Sequence, residues 1–272
     1  MTRAPDPAKN ELENGGDAGL GMSEPSNAAY RYDGRFLDYA ANTSAASARK
    51  VIAVLRAVGP IDSVLDVGCA RGTWLQEWSR AGVGDIQGVD GAYADDASLL
   101  IDRGRFMAAD LAAGFDLGRA FDLVQSLEVA EHLPASASAA FVACLVRHSR
   151  GLVLFSAAPP GQGGEHHVNE RPYDFWRGHF RARGYRAVDL IRPRIARDKE
   201  VSFWYRYNVM LYVSEGMAPR LPDDVRACIV PEGQPIADLS PPLFRVRKRI
   251  VRALPPSAVM GLARIKARFY SR

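Results

Sequence analysis

The sequence predicts an α/β fold in which helices cover both faces of a mainly parallel sheet. Short apolar runs of strand length alternate along the chain with stretches of helical periodicity. A glycine-rich turn follows the first of these runs, and strands and helices then alternate several times. Such alternation is typical of parallel sheets, because parallel strands need a crossover connection that is usually a helix. With 272 residues, the chain is long enough for one large domain with a substantial core.

The elements can be assigned in chain order from their apolar patterns. A helix over 47–59 presents one stripe of valine, isoleucine and leucine side chains. Further helices are predicted over 73–82, 135–146 and 173–184. Seven strands are predicted, at 63–68, 85–90, 105–110, 121–127, 151–157, 185–191 and 207–214. Ligands of such sheets bind beyond the carboxyl ends of the strands, so the polar residues at those ends form the candidate site.

The two ends of the chain differ in composition from the body, which spans 29–216. Residues 1–28 contain almost no large apolar side chain and are predicted to be disordered. The extension 217–272 is basic, since from Leu239 onward it has nine arginines and lysines and no acidic residue. Two amphipathic helices, separated at Pro255–Pro256, are predicted there. The apolar residues that share a face of the first are Val246, Ile250, Val251 and Leu254.

Three interpretations of this basic extension stay open. Its helices can dock on the body, or they can adsorb on an anionic membrane as a peripheral contact. Nucleic acid is the weakest interpretation, because no aromatic residues are interleaved with the basic ones in a recognition motif. Separately from the extension, the sequence does not decide whether the protein forms a homo-oligomer.

The sequence also predicts a cytoplasmic protein. It has no run of eighteen apolar residues and no charged-then-apolar N-terminus, so neither a membrane span nor secretion is expected. Its three cysteines form no CxxC pair, which suits a reducing compartment and argues against a disulfide framework or a zinc–thiolate site.

The segment LDVGCARG, residues 65–72, follows the first predicted strand and leads into the second predicted helix. It places Asp66, Gly68 and Gly72 at the end of that strand. Glycines there let a ligand approach the backbone, and the N-terminus of the next helix offers unpaired N–H groups. The dinucleotide fingerprint GxGxxG would also need glycines at positions 70 and 73, where the chain has alanine and threonine. A nicotinamide cofactor therefore fits poorly.

Four motifs together resemble those of the class I S-adenosylmethionine-dependent methyltransferases. They are VLDVGCARG (64–72), GVD (88–90), AADL (108–111) and FDLVQSLEVAEHLP (121–134), in the family's order and at similar separations. The resemblance covers about 47–214, and it departs from the family where Ala70 replaces the usual middle glycine. It implies a Rossmann-like sheet of seven strands in the order 3-2-1-4-5-7-6.

The same resemblance implies that S-adenosylmethionine is the cofactor and assigns residues to it. Asp66, Gly68 and Gly72 would surround its methionine moiety, and Asp90 would bind both ribose hydroxyls. Asp110 would meet the adenine amino group. The remaining assignments are Leu111 beside the adenine and Ser126 and Leu127 near the sulfonium.

A second group of reactive side chains follows the fourth strand, in SLEVAEHLP (126–134). Glu128, Glu131 and His132 are spaced i, i+3 and i+4, so a helix beginning near Glu128 would present all three on one face. Two carboxylates and an imidazole provide most of a divalent-cation site, and oxygen ligands favour Mg²⁺ or Mn²⁺. A later segment, GGEHHVNE (163–170), can supply His167 or, as a second choice, His166.

The E-x-x-E-H spacing resembles that of two methyltransferase groups, the ubiquinone-biosynthesis O-methyltransferases and the small-RNA terminal 2′-O-methyltransferases. The second resemblance implies a divalent ion held by Glu128, Glu131, His132 and His167. A metal-free alternative makes His167 or His132 the general base, with Glu128 as a third catalytic candidate. In a further alternative, the histidines are purely structural.

These features predict an enzyme that methylates a hydroxyl of a small molecule, a sugar or a polyhydroxylated natural product, in the ubiquinone-biosynthesis-like O-methyltransferase branch. A vicinal diol would suit the metal-assisted version. Two functions from other classes are alternatives. One is a nicotinamide-dependent oxidoreductase, and the other is a non-catalytic cofactor-binding partner of a glycan or natural-product assembly.

Overall fold

The computed structural model describes residues 34–94, 98–255, 258 and 261, with side chains from Ser44 onward. The predicted tail 1–28 and the second predicted helix of the basic extension lie outside the described residues.

A sheet of seven strands forms the centre of the described chain. Its strand order is β3-β2-β1-β4-β5-β7-β6, which confirms the predicted order. Strands β1 to β5 pair in parallel, whereas β7 runs antiparallel to both β5 and β6. The strands are β1 (Ser63–Val67), β2 (Asp85–Asp90), β3 (Phe106–Ala108), β4 (Phe121–Leu127), β5 (Ser149–Ser156), β6 (Tyr185–Val188) and β7 (Met210–Ser214).

Eight α-helices connect and flank these strands in the described residues. They are α1 (Gly34–Leu55), α2 (Thr73–Arg80), α3 (Ser138–Arg147), α4 (Tyr173–Arg181), α5 (Arg192–Ile195), α6 (Phe203–Asn208), α7 (Asp223–Arg226) and α8 (Pro242–Ala253). Among the described residues, no helix is long and apolar enough to cross a bilayer.

Alternating strand residues build one apolar core on each face of the sheet. On one face, Val64 and Leu123 pack with residues of α1 and α2 such as Val51 and Trp78. On the opposite face, the strand residues that alternate with these along the chain pack against α3 and α4, where Phe180 is fully buried. Because both faces are covered, β1 is buried at every position. The fold class predicted from the alternation of strands and helices is confirmed.

Several predicted boundaries differ from the structure, and the predicted strands 105–110 and 185–191, for example, already end at Ala108 and Val188. The predicted helix 47–59 comprises the second half of the longer α1, which ends at Leu55, and a 3₁₀ turn, Arg56–Val58. The predicted strand 207–214 begins only at Met210. Residues 207 and 208 instead complete α6, where the Asn208 side chain bonds to Tyr173 and Gln162. Alternation of apolar residues does not distinguish a strand from the last turn of a buried helix over two residues.

Helix α8 packs on the body through residues outside its predicted apolar face. Lys248 is buried and pairs with Asp238 at 2.5 Å, and the Phe244 ring lies 5.2 Å from that of Phe203. Of the four residues predicted to share an apolar face, Val246 and Ile250 are exposed to solvent, whereas Val251 and Leu254 are half-buried. The aromatic and basic side chains, rather than the apolar stripe, therefore hold this helix.

Candidate active site at the carboxyl ends of the strands

The loop after β1 contains three residues with a left-handed backbone conformation, Gly68, Ala70 and Gly72. Gly68 and Gly72 have φ angles of +84° and +81°, and the Gly72 carbonyl accepts the first helical hydrogen bond of α2, from Gln76 at 2.9 Å. A Cβ at Gly68 would lie 2.3 Å from a methyl carbon of Val129, so glycine also permits the close approach of the loop that follows β4. Ala70 has a φ of +46°, a left-handed conformation in which glycine would be unstrained.

Asp66 and Asp90, in β1 and at the end of β2, carry almost completely buried carboxylates. Burial raises the pKa of Asp66 to about 7, and the charge of Asp90 adds to this rise. Burial also raises the pKa of Asp90, although the hydrogen bonds that its carboxylate accepts oppose this rise. These come from the Tyr93 hydroxyl at 2.5 Å, the Gly91 amide at 2.7 Å and the Ala70 amide at 2.6 Å.

The other predicted cofactor residues follow β3 or end β4. Asp110 is exposed and accepts a hydrogen bond from the Ala112 amide at 2.9 Å, so it caps its own turn, while Leu111 is buried. Ser126 and Leu127 are buried, and the Ser126 hydroxyl has no hydrogen-bond partner among the described residues. Since β3, β2, β1 and β4 are consecutive in the sheet, all the predicted cofactor residues lie near the carboxyl ends of neighbouring strands.

Glu128 does not begin a helix. Its φ is +57°, and a short 3₁₀ turn, Ala130–His132, follows instead. The Glu128 carboxylate accepts hydrogen bonds from the Gln162 amide at 2.9 Å and from the Asn208 amide at 3.1 Å. Burial raises the pKa of Glu128, although these hydrogen bonds oppose the rise. The predicted single face for Glu128, Glu131 and His132 is therefore wrong.

Glu131 joins the segments 126–134 and 163–170, which are predicted to supply residues to one site. Its backbone carbonyl accepts hydrogen bonds from the amides of Val168 at 2.9 Å and Asn169 at 3.0 Å. Its carboxylate accepts one from the Ala158 amide at 3.2 Å, and its second oxygen, Oε2, has no partner among the described residues. Burial raises the pKa of Glu131 well above its ordinary value, and the charge of Glu128 adds to the effect.

His132 and His167 meet at this junction, with ring centroids 4.9 Å apart and rings nearly perpendicular. Burial and the neighbouring His167 lower the pKa of His132 to about 4, so His132 is neutral near pH 7. The His167 Nδ1 lies 2.8 Å from Oε1 of Glu170. Because that carboxylate also accepts hydrogen bonds from the amides of Gly161 and Gly163, both at 2.7 Å, it is held in place independently of the histidine.

The comparison with protein families identifies the family to which this chain belongs. Residues 28–189, more than half of the chain, match the family described as a methyltransferase domain. The chain is a class I S-adenosylmethionine-dependent methyltransferase. A search of curated protein sequences gave no match.

Solved structures that are similar to this chain include KedS8, DesVI and CalS10. The sugar N-methyltransferase KedS8 from Streptoalloteichus is 17% identical and has a TM-score of 0.52, covering 73% of this chain and 99% of its own. DesVI of Streptomyces venezuelae is 17% identical, with a TM-score of 0.48 and coverage of 65% and 95%. CalS10 from Micromonospora echinaspora, an amino pentose methyltransferase, is also 17% identical, with a TM-score of 0.47 and coverage of 67% and 97%. At these identities the likeness shows the fold alone.

A metal ion could be held by three side chains of this methyltransferase. Ligand atoms of Glu131, His132 and His167 lie within 4.8 Å of one another. The partnerless Oε2 of buried Glu131 fits such an ion, because a buried carboxylate oxygen without a partner is costly. Glu128, a predicted fourth ligand, is outside this cluster, since its carboxylate is held by Gln162 and Asn208. One carboxylate and two imidazoles suit Mn²⁺, Fe²⁺ or Zn²⁺ better than the predicted Mg²⁺.

Several residues that contact the candidate site residues were not predicted from the sequence. Glu170 stands three residues after His167, and a carboxylate so close to a candidate histidine was a signal for an orienting partner. Gln162 and Asn208 gave no comparable signal, because the fold alone brings them to Glu128. Tyr93 was also missed, although it follows Asp90 by only three residues.

Replacing Gly164 with alanine is expected to lower kcat by about 10²-fold by displacing His167. A Cβ at position 164 would lie 2.1 Å from Nε2 of His167, so the imidazole must move. Steady-state kinetics of methyl transfer would measure the effect. Gly178→Ala is the matched control, because a Cβ there meets nothing within 4 Å. Equal activity of the two variants would remove His167 from the catalytic geometry.

Proposed function

We propose that this methyltransferase transfers the methyl group of S-adenosylmethionine to a hydroxyl of a small molecule or sugar. The observation that carries the proposal is the hydrogen-bonded pair of His167 and Glu170, at 2.8 Å beside neutral His132. A carboxylate can only accept from an imidazole, so Nδ1 of His167 carries the proton and Nε2 keeps a free lone pair. That is the arrangement of a general base with its orienting group.

The cofactor is proposed to lie across the ends of β1, β2, β3 and β4. Asp66 would face the cationic amino group of the methionine moiety, and the glycine-rich loop would approach its carboxylate. Asp90 would bind the ribose hydroxyls after the Tyr93 hydroxyl, which now occupies one of its oxygens, has moved away. The adenine would lie between Asp110 and Leu111, and the sulfonium near Ser126 and Leu127.

Methyl transfer needs little from the protein beyond positioning and removal of one proton. The acceptor oxygen forms a bond to the methyl carbon while the carbon–sulfur bond breaks, and S-adenosylhomocysteine leaves. The acceptor proton passes to Nε2 of His167, and the resulting imidazolium is stabilised by the Glu170 carboxylate. Three non-glycine residues in the described chain have a left-handed φ, namely Ala70, Glu128 and His166, and they stand in the segments that follow β1, β4 and β5. Such strained positions cluster at functional sites.

A metal-assisted version is a second candidate, favoured by the cluster of Glu131, His132 and His167. An ion there would make a bound hydroxyl more acidic, and a vicinal diol could offer it two oxygens. In this version His167 is a ligand rather than the base. Glu128 would then fix the Gln162 loop and bind no ion.

Transfer of a labelled methyl group to a panel of sugars, amino sugars and catechols tests the proposed function. We expect label on a hydroxyl, with activity that EDTA leaves unchanged if His167 is the base. Activity lost in EDTA and restored by Mn²⁺ or Zn²⁺ would support the metal-assisted version instead. Label on an amine would show that the acceptor is an amino sugar rather than a hydroxyl compound, and KedS8 is a sugar N-methyltransferase.

The alternative functions have distinct outcomes in the same experiment. Family membership disfavours a nicotinamide oxidoreductase, and the spacing of the glycine-rich loop agrees. A non-catalytic partner would bind S-adenosylhomocysteine in calorimetry and yet label no acceptor in the panel.

A further inference from the structure

Helix α8 exposes an apolar stripe to solvent. Leu243, Val246 and Ile250 follow one another at spacings of three and four residues, and their exposed fractions are 85%, 49% and 59%. The described part of the chain exposes only two other large apolar residues to this degree, Tyr93 and Val168. Scattered apolar residues on a surface are normal, whereas a contiguous exposed stripe marks an interaction site.

The contacts of α8 with the body prevent the helix from turning this stripe inward. The Arg247 guanidinium donates to the Gln162 carbonyl at 3.0 Å, and Lys248 is buried against Asp238. A Cβ at Gly161 would lie 2.1 Å from the Lys248 carbonyl oxygen, so the two backbones are in close contact. The helix is therefore fixed with its aromatic and basic face inward and its apolar stripe outward.

The charges beside the stripe show which kind of partner it suits. Arg245, Arg249 and Arg252 are exposed, and at 100° per residue they lie together along one side of the stripe. No acidic residue occurs from Leu239 to the last residue, Arg272. A stripe of apolar side chains bordered by arginines is typical of helices that lie in the interface of a bilayer, where long cationic side chains reach the phosphates.

We propose that α8 attaches this protein to an anionic lipid bilayer as a peripheral anchor, with its axis parallel to the surface. Leu243, Val246 and Ile250 enter the boundary between headgroups and acyl chains, and the arginines contact anionic headgroups. A second copy is a poorer partner, because two such helices would bring like charges together. Nucleic acid is also poorer, since phosphates would leave the apolar stripe without a partner. The proposal is independent of the identity of the methyl acceptor.

Co-sedimentation of the full chain with vesicles tests this proposal. We expect binding to vesicles of phosphatidylcholine and phosphatidylglycerol in a two-to-one ratio, and little binding to phosphatidylcholine alone. The double variant Leu243→Ser, Ile250→Ser should lower the partition coefficient at least about 10-fold, since each side chain buries apolar area. The triple variant Arg245→Gln, Arg249→Gln, Arg252→Gln should lower it about 100-fold. Val168→Ser, an exposed apolar residue outside the helix, should leave it unchanged.

Several outcomes would overturn the proposal. They are equal binding to both kinds of vesicle, binding that the serine variant leaves intact, and binding to duplex DNA without binding to vesicles. Self-association in sedimentation velocity that the serine variant abolishes, again without vesicle binding, would assign the stripe to a second copy. Circular dichroism of each variant would show that the fold is retained, as expected for substitutions of exposed side chains.

Discussion

Replacing His167 with alanine is expected to lower kcat of methyl transfer by about 10²–10⁴-fold, the usual contribution of a general base. The imidazole is held by Glu170 on one side and touches Gly164 on the other, so it is positioned before any acceptor binds. Affinity for S-adenosylhomocysteine should be unchanged, because the predicted cofactor residues end other strands. Single-turnover kinetics and calorimetry would measure the two effects separately. Full activity of this variant would contradict both the general-base version and the metal-assisted one.

Glu170→Gln tests the general-base version of the site, and the metal content of two other variants tests the metal-assisted version. Glutamine keeps the size of the side chain but loses the charge that stabilises the imidazolium, so kcat should fall about 10-fold or more while KM stays constant. In the metal-assisted version, His167→Ala and Glu131→Gln should both reduce the bound Mn²⁺ or Zn²⁺ measured after dialysis. Glu165→Gln, in the same segment, makes the same chemical change away from this hydrogen bond and serves as the control. Equal activity and metal content in all these variants would leave the histidines with a structural role.

The parts of the site that follow from local pattern could be predicted from the sequence. Strand ends in a parallel sheet converge on one edge, so Asp66, Asp90 and Asp110 had to approach one another once the strands were recognised. The meeting of 126–134 with 163–170 followed from the same rule, because β4 and β5 are neighbours in the sheet. The structure adds the physical link, which is the pair of backbone hydrogen bonds to the Glu131 carbonyl.

The parts that depend on backbone conformation or distant packing could not be predicted. The spacing of Glu128, Glu131 and His132 suits a helix, but the left-handed φ of Glu128 separates its carboxylate from the others. Nothing local in the sequence reports that conformation, which is stabilised by hydrogen bonds from the Glu128 amide to the backbone and side chain of Ser156. The orientation of α8 was missed for a similar reason. Helical periodicity identifies an apolar face but does not say which face the body will cover.

Replacing Asp66 with asparagine is expected to stabilise the fold at high pH and to weaken cofactor binding. Burial raises the pKa of this carboxyl to about 7 in the folded protein, from an ordinary value of 3.8 in the unfolded chain. Between these values the folded state holds a proton that the unfolded state has lost, so stability falls as the pH rises through this window. The difference between the two pKa values corresponds to about 4 kcal/mol once the pH exceeds 7. Asparagine fills the same space without this penalty.

Urea unfolding without cofactor would measure the stabilisation, and the advantage of the variant should grow by about 2–3 kcal/mol between pH 5 and pH 8. Asp224→Asn makes the same change on an exposed side chain and should show no such growth. Calorimetry with S-adenosylhomocysteine should show affinity lowered about 10-fold or more, the loss typical of a hydrogen bond to a charged group. Unchanged affinity would show that Asp66 does not contribute to cofactor binding. A pH-independent difference in stability would mean that the folded protein already stabilises the ionised Asp66 carboxylate. If both effects appear, the ionised Asp66 carboxylate lowers the stability of the free protein and raises its affinity for the cationic methionine moiety.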